Sequence, residues 1–150
     1  MGKVGRIVYP DTCILIYWLE RNPTYVDAIL QKLRPALESA PILVFTELTR
    51  MACRVKPLQT GDQIQIAGYD RVFSTPGYRF EKLSREVFDL ATELRELRAQ
   101  YGLKAPDAIH LAAALSSGCD EIWTNDDRLA KAAAGRIGVF NVKERNVKNT

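Results

Sequence analysis

Residues 103–129, LKAPDAIHLAAALSSGCDEIWTNDDRL, restrict the fold of this chain more than any other stretch. Pro106 suits the first position of a helix, where its missing N–H leaves no bond unmade, and Gly118 suits the stop. Between them Ala108, Leu111, Ala112 and Leu115 recur at helical spacing, and a helix apolar on nearly every side must be buried. Glu121 to Thr124 then reads as a brief strand, and Asn125 opens a turn that caps another helix beginning near Asp127. This unit carries acid at both ends, with Asp107 in the helix's first turn and Asp126 just past the strand. In open α/β sheets ligands bind outside the carboxyl ends of strands, which is the edge predicted for Asp126.

The remaining chain repeats the alternation. Arg6 to Tyr9 is a β-branched run closed by Asp11, and Cys13, Ile14, Ile16, Tyr17, Trp18 and Leu19 predict a buried helix. Asn22-Pro23 caps a second helix with Val26, Ile29, Leu30, Leu33 and Leu37 on one face and an interruption at Pro35. Residues 41–45, PILVF, form an apolar run of the length of a buried parallel strand, followed by a helix over 46–55 that Pro57 ends. Thr60-Gly61-Asp62 starts a helix carrying Ile64, Ala67, Val72 and Phe73, and 78–83 is a weaker strand. One helix from Ser84 turns Val87, Leu90, Ala91, Leu94, Leu97 and Tyr101 inward and Glu86, Glu93, Arg95 and Glu96 outward. A last strand over 138–142 precedes a basic, loose tail from about 143. Parallel strands need crossovers, and these carry helices, so the expected class is α/β: a three-layer α/β/α sandwich with a central parallel sheet, one domain over 1–150.

Composition narrows the setting. No apolar run is long enough to span a bilayer, and the start, MGKVGRIVYPD, lacks the apolar core of a signal peptide, so a cytoplasmic location with no membrane partner is expected. Cys13, Cys53 and Cys119 are odd in number and widely spaced, and the chain has one histidine, which points to reduced core thiols and away from zinc. A net charge of +3 permits a nucleic-acid partner without requiring one.

Taken singly, Asp11, Asp107 and Asp126 are explained by helix capping and the helix dipole. Gathered at one sheet edge, they would repel unless a cation sat among them, and carboxylate oxygens without His or Cys select Mg²⁺ or Mn²⁺. Such an ion lowers the pKa of bound water and neutralises phosphate oxygens, the chemistry of phosphodiester hydrolysis.

The segments YPDTCILIYWLE, TELTRMACRVKPL, APDAIHLAAAL and TNDDRLAK together resemble PIN-domain ribonucleases, more narrowly the VapC-type toxins of bacterial toxin–antitoxin pairs, over roughly residues 7–133. The resemblance implies a Mg²⁺- or Mn²⁺-dependent endoribonuclease. Its metal-holding catalytic acids match Asp11, Asp107 and Asp126, supported by Thr12, Thr124, Asn125 and, more remotely, Asp127. It also implies an RNA substrate, a VapB-like antitoxin received in a groove joined by the Ile14 to Leu19 helix, and a homodimer. Arg50, Arg54 and Arg128, with Lys56 and Arg85, are candidates for phosphate contact, against the ordinary reading of a solvated face. His110 is read as a packed or solvated helix residue in preference to one touching substrate.

One departure stands out. Relatives carry a catalytic Glu in a T-x-x-E pattern after strand two, and counting from Thr49 reaches Ala52. Glu47 is no ready substitute, because five residues of helix rotate it about 140° away. The favoured reading is a deliberate Glu→Ala change that lets a toxic ribonuclease be produced, with natural loss as the alternative. Either predicts a retained fold, weak metal binding and poor cleavage. A non-enzymatic RNA- or protein-binding module on a degenerate PIN fold is the rival that Ala52 supports. A phospho-acceptor signalling domain is disfavoured, because VYPDTC lacks a second acid beside Asp11 and GVFNVKE gives no convincing lysine partner.

Overall fold

The computed structural model describes residues 5–36 and 39–144. Three short strands of branched and aromatic residues build the sheet's centre: β1 (Ile7–Pro10), β2 (Ile42–Phe45) and β4 (Glu121–Thr124). β3 (Arg79–Phe80) and β5 (Gly138–Asn141) flank them, giving the parallel order β3-β2-β1-β4-β5. Strand side chains alternate between faces, so Tyr9, Val44 and Ile122 enter one layer and Val8, Leu43, Phe45 and Trp123 the other.

Against the second face pack α1 (Thr12–Leu19), α2 (Val26–Leu33), α3 (Glu47–Thr60) and α4 (Gln63–Phe73). The first face is covered by α5 (Arg85–Glu93), α6 (Arg95–Tyr101), α7 (Ala105–Ser116) and α8 (Asp127–Ala133). This is the expected three-layer α/β/α arrangement. α7 buries Ala108, Leu111, Ala112, Ala113 and Ala114, small side chains that fit a helix between the sheet and α5.

Several local expectations are corrected. Pro57 does not end α3; it lies buried inside the helix, which runs on to Gly61 at φ +70°. One absent N–H is a loss the helix tolerates where the ring itself is core, and a left-handed glycine makes the real stop. The helix from Ser84 is two helices, broken at Leu94 (φ −77°, ψ 13°), although Val87, Ala91, Leu94 and Leu97 are buried as predicted. Ile64 is 83% exposed and Ala67 is also exposed, because α4 turns Tyr69 inward instead. The third strand is only two residues long. Asp126, not Asn125, caps α8. Arg34, before Pro35, leaves helical backbone as expected, while Leu37 and the tail beyond 144 lie outside the described residues.

Candidate active site

β2 follows β1 on one side and β4 lies on the other, so the chain reverses direction across the sheet between β1 and β4. The carboxyl ends of strands at such a switch point splay into a crevice. Asp11 follows Pro10 there, and Thr124-Asn125-Asp126 follows the paired strand.

Local capping fixes each acid. Asp11 caps α1 by accepting the Thr12 N–H at 2.8 Å, and its other oxygen accepts the buried Thr124 hydroxyl at 2.9 Å. Thr124 Oγ1 in turn accepts the Asp126 N–H at 3.0 Å, so one hydroxyl locks the two strand ends together. Asp126 Oδ1 caps α8 through the N–H groups of Arg128 and Leu129. Asp107, in the first turn of α7, accepts the Lys104 N–H at 3.2 Å.

These acids share a field. Burial first, then the nearby charges of Asp126 and Asp11, push the Asp107 carboxyl above its ordinary range, against the bond from Lys104. The three predicted acids thus lie within electrostatic reach of one another, on three different elements. Among the described residues no three His, Cys, Asp or Glu side chains converge tightly enough to enclose an ion. The donor set nonetheless fits a hydrated ion such as Mg²⁺, which keeps several waters and needs only one or two carboxylates. Thr12 Oγ1 adds a second sign, since it is buried beside Asp11 with no partner among the described residues.

Position 52 lies in α3, beside the buried Cys53. Burial pushes the neighbouring Cys53 thiol up to about 12, and Asp11 adds to that shift, so this turn of α3 lies within the field of Asp11. Glu47 is exposed and sits 3.9 Å from Arg50 on its own helix. Asn125 Nδ2 bonds the Tyr17 hydroxyl. Asp127 turns away from the crevice to accept from Asn141 at 3.0 Å and approach Lys143 at 3.8 Å. Of the candidate phosphate-contacting residues, Arg54 is paired with Asp70 of α4 and Lys56 with Glu20, whereas Arg128 is exposed.

Sequence reasoning assigned no role to Tyr9 or Thr46, used Thr49 only to count to position 52, and read His110 as packed or solvated, and it is packed. All four are buried together under the acids. A signal existed: Tyr9 is on the same strand face as Asp11, and His110 is one helical turn from Asp107.

No helix among the described residues is long and apolar enough to cross a membrane. Comparison with curated protein sequences finds no match. Several solved structures share the fold. VapBC2 from Rickettsia felis, bound to a DNA fragment from its promoter, has TM-score 0.66 and 15% identity, covering 90% of this chain and 98% of that one. A toxin–antitoxin complex from Klebsiella pneumoniae has TM-score 0.63 and 24% identity, with 90% and 97% covered. VapC20 of Mycobacterium tuberculosis, a Sarcin-Ricin loop cleaving toxin, has TM-score 0.67 and 11% identity, with 83% and 94% covered. The PIN domain family profile matches residues 8–135, most of the described chain, and the chain belongs to that family.

Proposed function

We propose that the chain is a VapC-type toxin of a toxin–antitoxin pair, a metal-dependent endoribonuclease weakened by alanine at position 52. The observation that carries this reading is that Thr124 ties Asp11 and Asp126 together at the β1/β4 crevice, with Asp107 of α7 within electrostatic reach of both. Structural likeness to VapBC toxins supports it.

In this reading Asp11, Asp107 and Asp126 hold Mg²⁺ or Mn²⁺. When bound, the ion supplies an activated water and neutralises the charge of a phosphodiester. The chain's own work is placement. Thr124 sets Asp11 and Asp126 at a fixed spacing, and the unpartnered Thr12 hydroxyl is a ready donor or acceptor for water or a phosphate oxygen. Arg128, exposed two residues after Asp126, would neutralise an RNA phosphate, with Arg50 in the first turn of α3; Arg54, tied to Asp70, is the weakest of the three candidates. Asn125 steadies the loop through Tyr17, and Asp127 serves the α8/β5 corner.

The partners follow from two surfaces. A groove of about 590 Å³ between α1 and α4, lined by Trp18, Leu19, Ile64 and Val72 together with Arg21 and Arg71, suits an antitoxin segment with an apolar face flanked by acidic residues. Met51, Val55 and Leu58 are exposed along α3 at one helical face, a surface for a second copy of the chain. We place the protein in the cytoplasm, where RNA and antitoxin are met.

The test is Ala52→Glu assayed for Mg²⁺-dependent RNA cleavage. We expect a gain on the order of 100-fold, the scale of a single electrostatic group at a reaction centre. An inert Ala52→Glu protein that still binds RNA would instead support the non-enzymatic module, which Ala52 alone favours.

A further inference from the structure

Four buried polar side chains meet beneath the acids and have no part in the chemistry above. Tyr9 Oη lies 2.6 Å from His110 Nδ1, 3.2 Å from Thr46 Oγ1 and 3.3 Å from Thr49 Oγ1. Tyr9, Thr46 and Thr49 are 0% exposed and His110 is 4% exposed, so no water competes for these bonds. We assign the Tyr9 hydroxyl as the donor to Nδ1, the direction that leaves its oxygen to accept from both threonines. In that assignment the two threonine hydroxyls, themselves 3.4 Å apart, supply the protons facing the Tyr9 oxygen, and the Thr46 N–H donates to Thr49 Oγ1 at 3.4 Å. His110 is thereby a neutral imidazole protonated on Nε2; burial lowers its proton affinity, against the pull of Asp11 and Asp107.

Each member is joined by a short stretch of regular backbone to one position of the site. Tyr9 is two residues before Asp11 in β1, His110 is one turn after Asp107 in α7, and Thr49 is one turn before residue 52 in α3. Buried polar networks rigidify one arrangement of the elements they join.

We propose that Tyr9 and His110 are positioning residues of the acidic site: their hydrogen bond, braced by Thr46 and Thr49, sets the separation of Asp11 from Asp107 and the aim of residue 52. This rests on the acids being a metal site, so its test has an arm that needs no metal.

In the full chain, Tyr9→Phe removes the bond, His110→Asn keeps an acceptor where Nδ1 stood, and Leu33→Ala damages the opposite layer as a control. Mn²⁺ affinity is read by electron paramagnetic resonance and stability by thermal unfolding. Metal-free crystal structures of the parent and Tyr9→Phe proteins give the carboxylate separation. We expect Tyr9→Phe to weaken Mn²⁺ binding roughly threefold to tenfold, below the loss typical of a group bonded directly to a ligand. His110→Asn stays within about twofold of the parent, on the same scale of outer-shell effects. Leu33→Ala lowers the melting temperature without moving Mn²⁺ affinity. The Asp11–Asp107 separation in Tyr9→Phe should shift by more than about 0.5 Å, the tolerance of a working site.

Unchanged Mn²⁺ affinity together with unchanged separation overturns the proposal. If the parent itself binds no Mn²⁺, the metal reading fails and the carboxylate separation still decides the positioning one. Should Tyr9→Phe fail to fold, Thr49→Val, which removes one brace and keeps the shape, decides by the same two measurements. Because the chain has a single histidine, one ¹⁵N spectrum identifies its tautomer, and a proton on Nδ1 would overturn the donor assignment.

Discussion

At the amino end of β4 the buried Glu121 accepts from Arg6 at 2.5 Å and from Trp123 Nε1 at 3.2 Å, with Lys32 Nζ at 3.5 Å. At the carboxyl end of the same strand Asp126 shares the crevice with Asp11 and Asp107, and no ion pair joins any of these acids to a Lys or Arg among the described residues. Burial opposes ionisation of Glu121, yet the Trp123 bond and the two cations hold its carboxyl below the usual range. Burial acts the same way on Asp107, and there the neighbouring charges reinforce it. One strand thus begins with an acid whose charge the protein neutralises and leads at its other end to acids that no Lys or Arg among the described residues pairs. The second arrangement costs stability unless a ligand repays it, which is why it marks function.

The largest effect expected from disturbing this contrast is at the carboxyl end, where Ala52→Glu adds a further acid and raises cleavage on the order of 100-fold. It should also lower the melting temperature in the absence of metal, because it adds like charge. Next comes Glu121→Ala, which strips two cations and an indole N–H of their acceptor and should cost about 2 kcal/mol, moderated by the exposure of Arg6. Thermal unfolding should show a fall of about 4–8 °C for a chain this size. The pH dependence has a definite sign. The folded carboxyl of Glu121 ionises below its unfolded range, so its stabilisation is complete above that range and disappears as pH falls through the folded value. Glu121→Ala should therefore flatten the acid limb of stability.

Asp126 separates two roles. Asp126→Ala removes the α8 cap and should cost about 1 kcal/mol, whereas Asp126→Asn keeps an oxygen for the cap and should leave stability nearly unchanged. Both should abolish cleavage in the Ala52→Glu background. The smallest effect is at Asp107, whose raised carboxyl destabilises the metal-free fold above the folded value and relaxes as pH drops toward the unfolded range. Asp107→Asn should raise the metal-free melting temperature by about 1–2 °C at neutral pH while removing activity, a trade expected of a site residue.

The acids were legible in the sequence because each sits at a strand-to-helix junction that turn and cap chemistry mark locally. The sheet order was legible only as a class, since alternation demands crossovers without saying which strand lies beside β1. The break at Leu94 was invisible: its side chain keeps the apolar rhythm across a change of backbone direction, and rhythm was the only signal used. The Tyr9 cluster was missed for a different reason. Its members are spread over positions 9, 46, 49 and 110, and only the parallel packing of β1, α3 and α7 brings a strand tyrosine, two capping threonines and a helix histidine to one point.

The caps also decide how these acids can bind. Asp126 commits Oδ1 to two backbone N–H groups and Asp107 commits Oδ2 to one, while Asp11 has a donor on each oxygen. Chelation through both oxygens of Asp126, which large calcium ions favour, would compete with the two N–H groups on Oδ1 that start α8. Monodentate ligation through its other oxygen leaves that cap intact and suits a small octahedral ion that keeps its waters. In the proposed site, the hydrogen bonds that made Asp126 look like an ordinary helix cap double as a size filter, enforced by the cost of unwinding the first turn of α8.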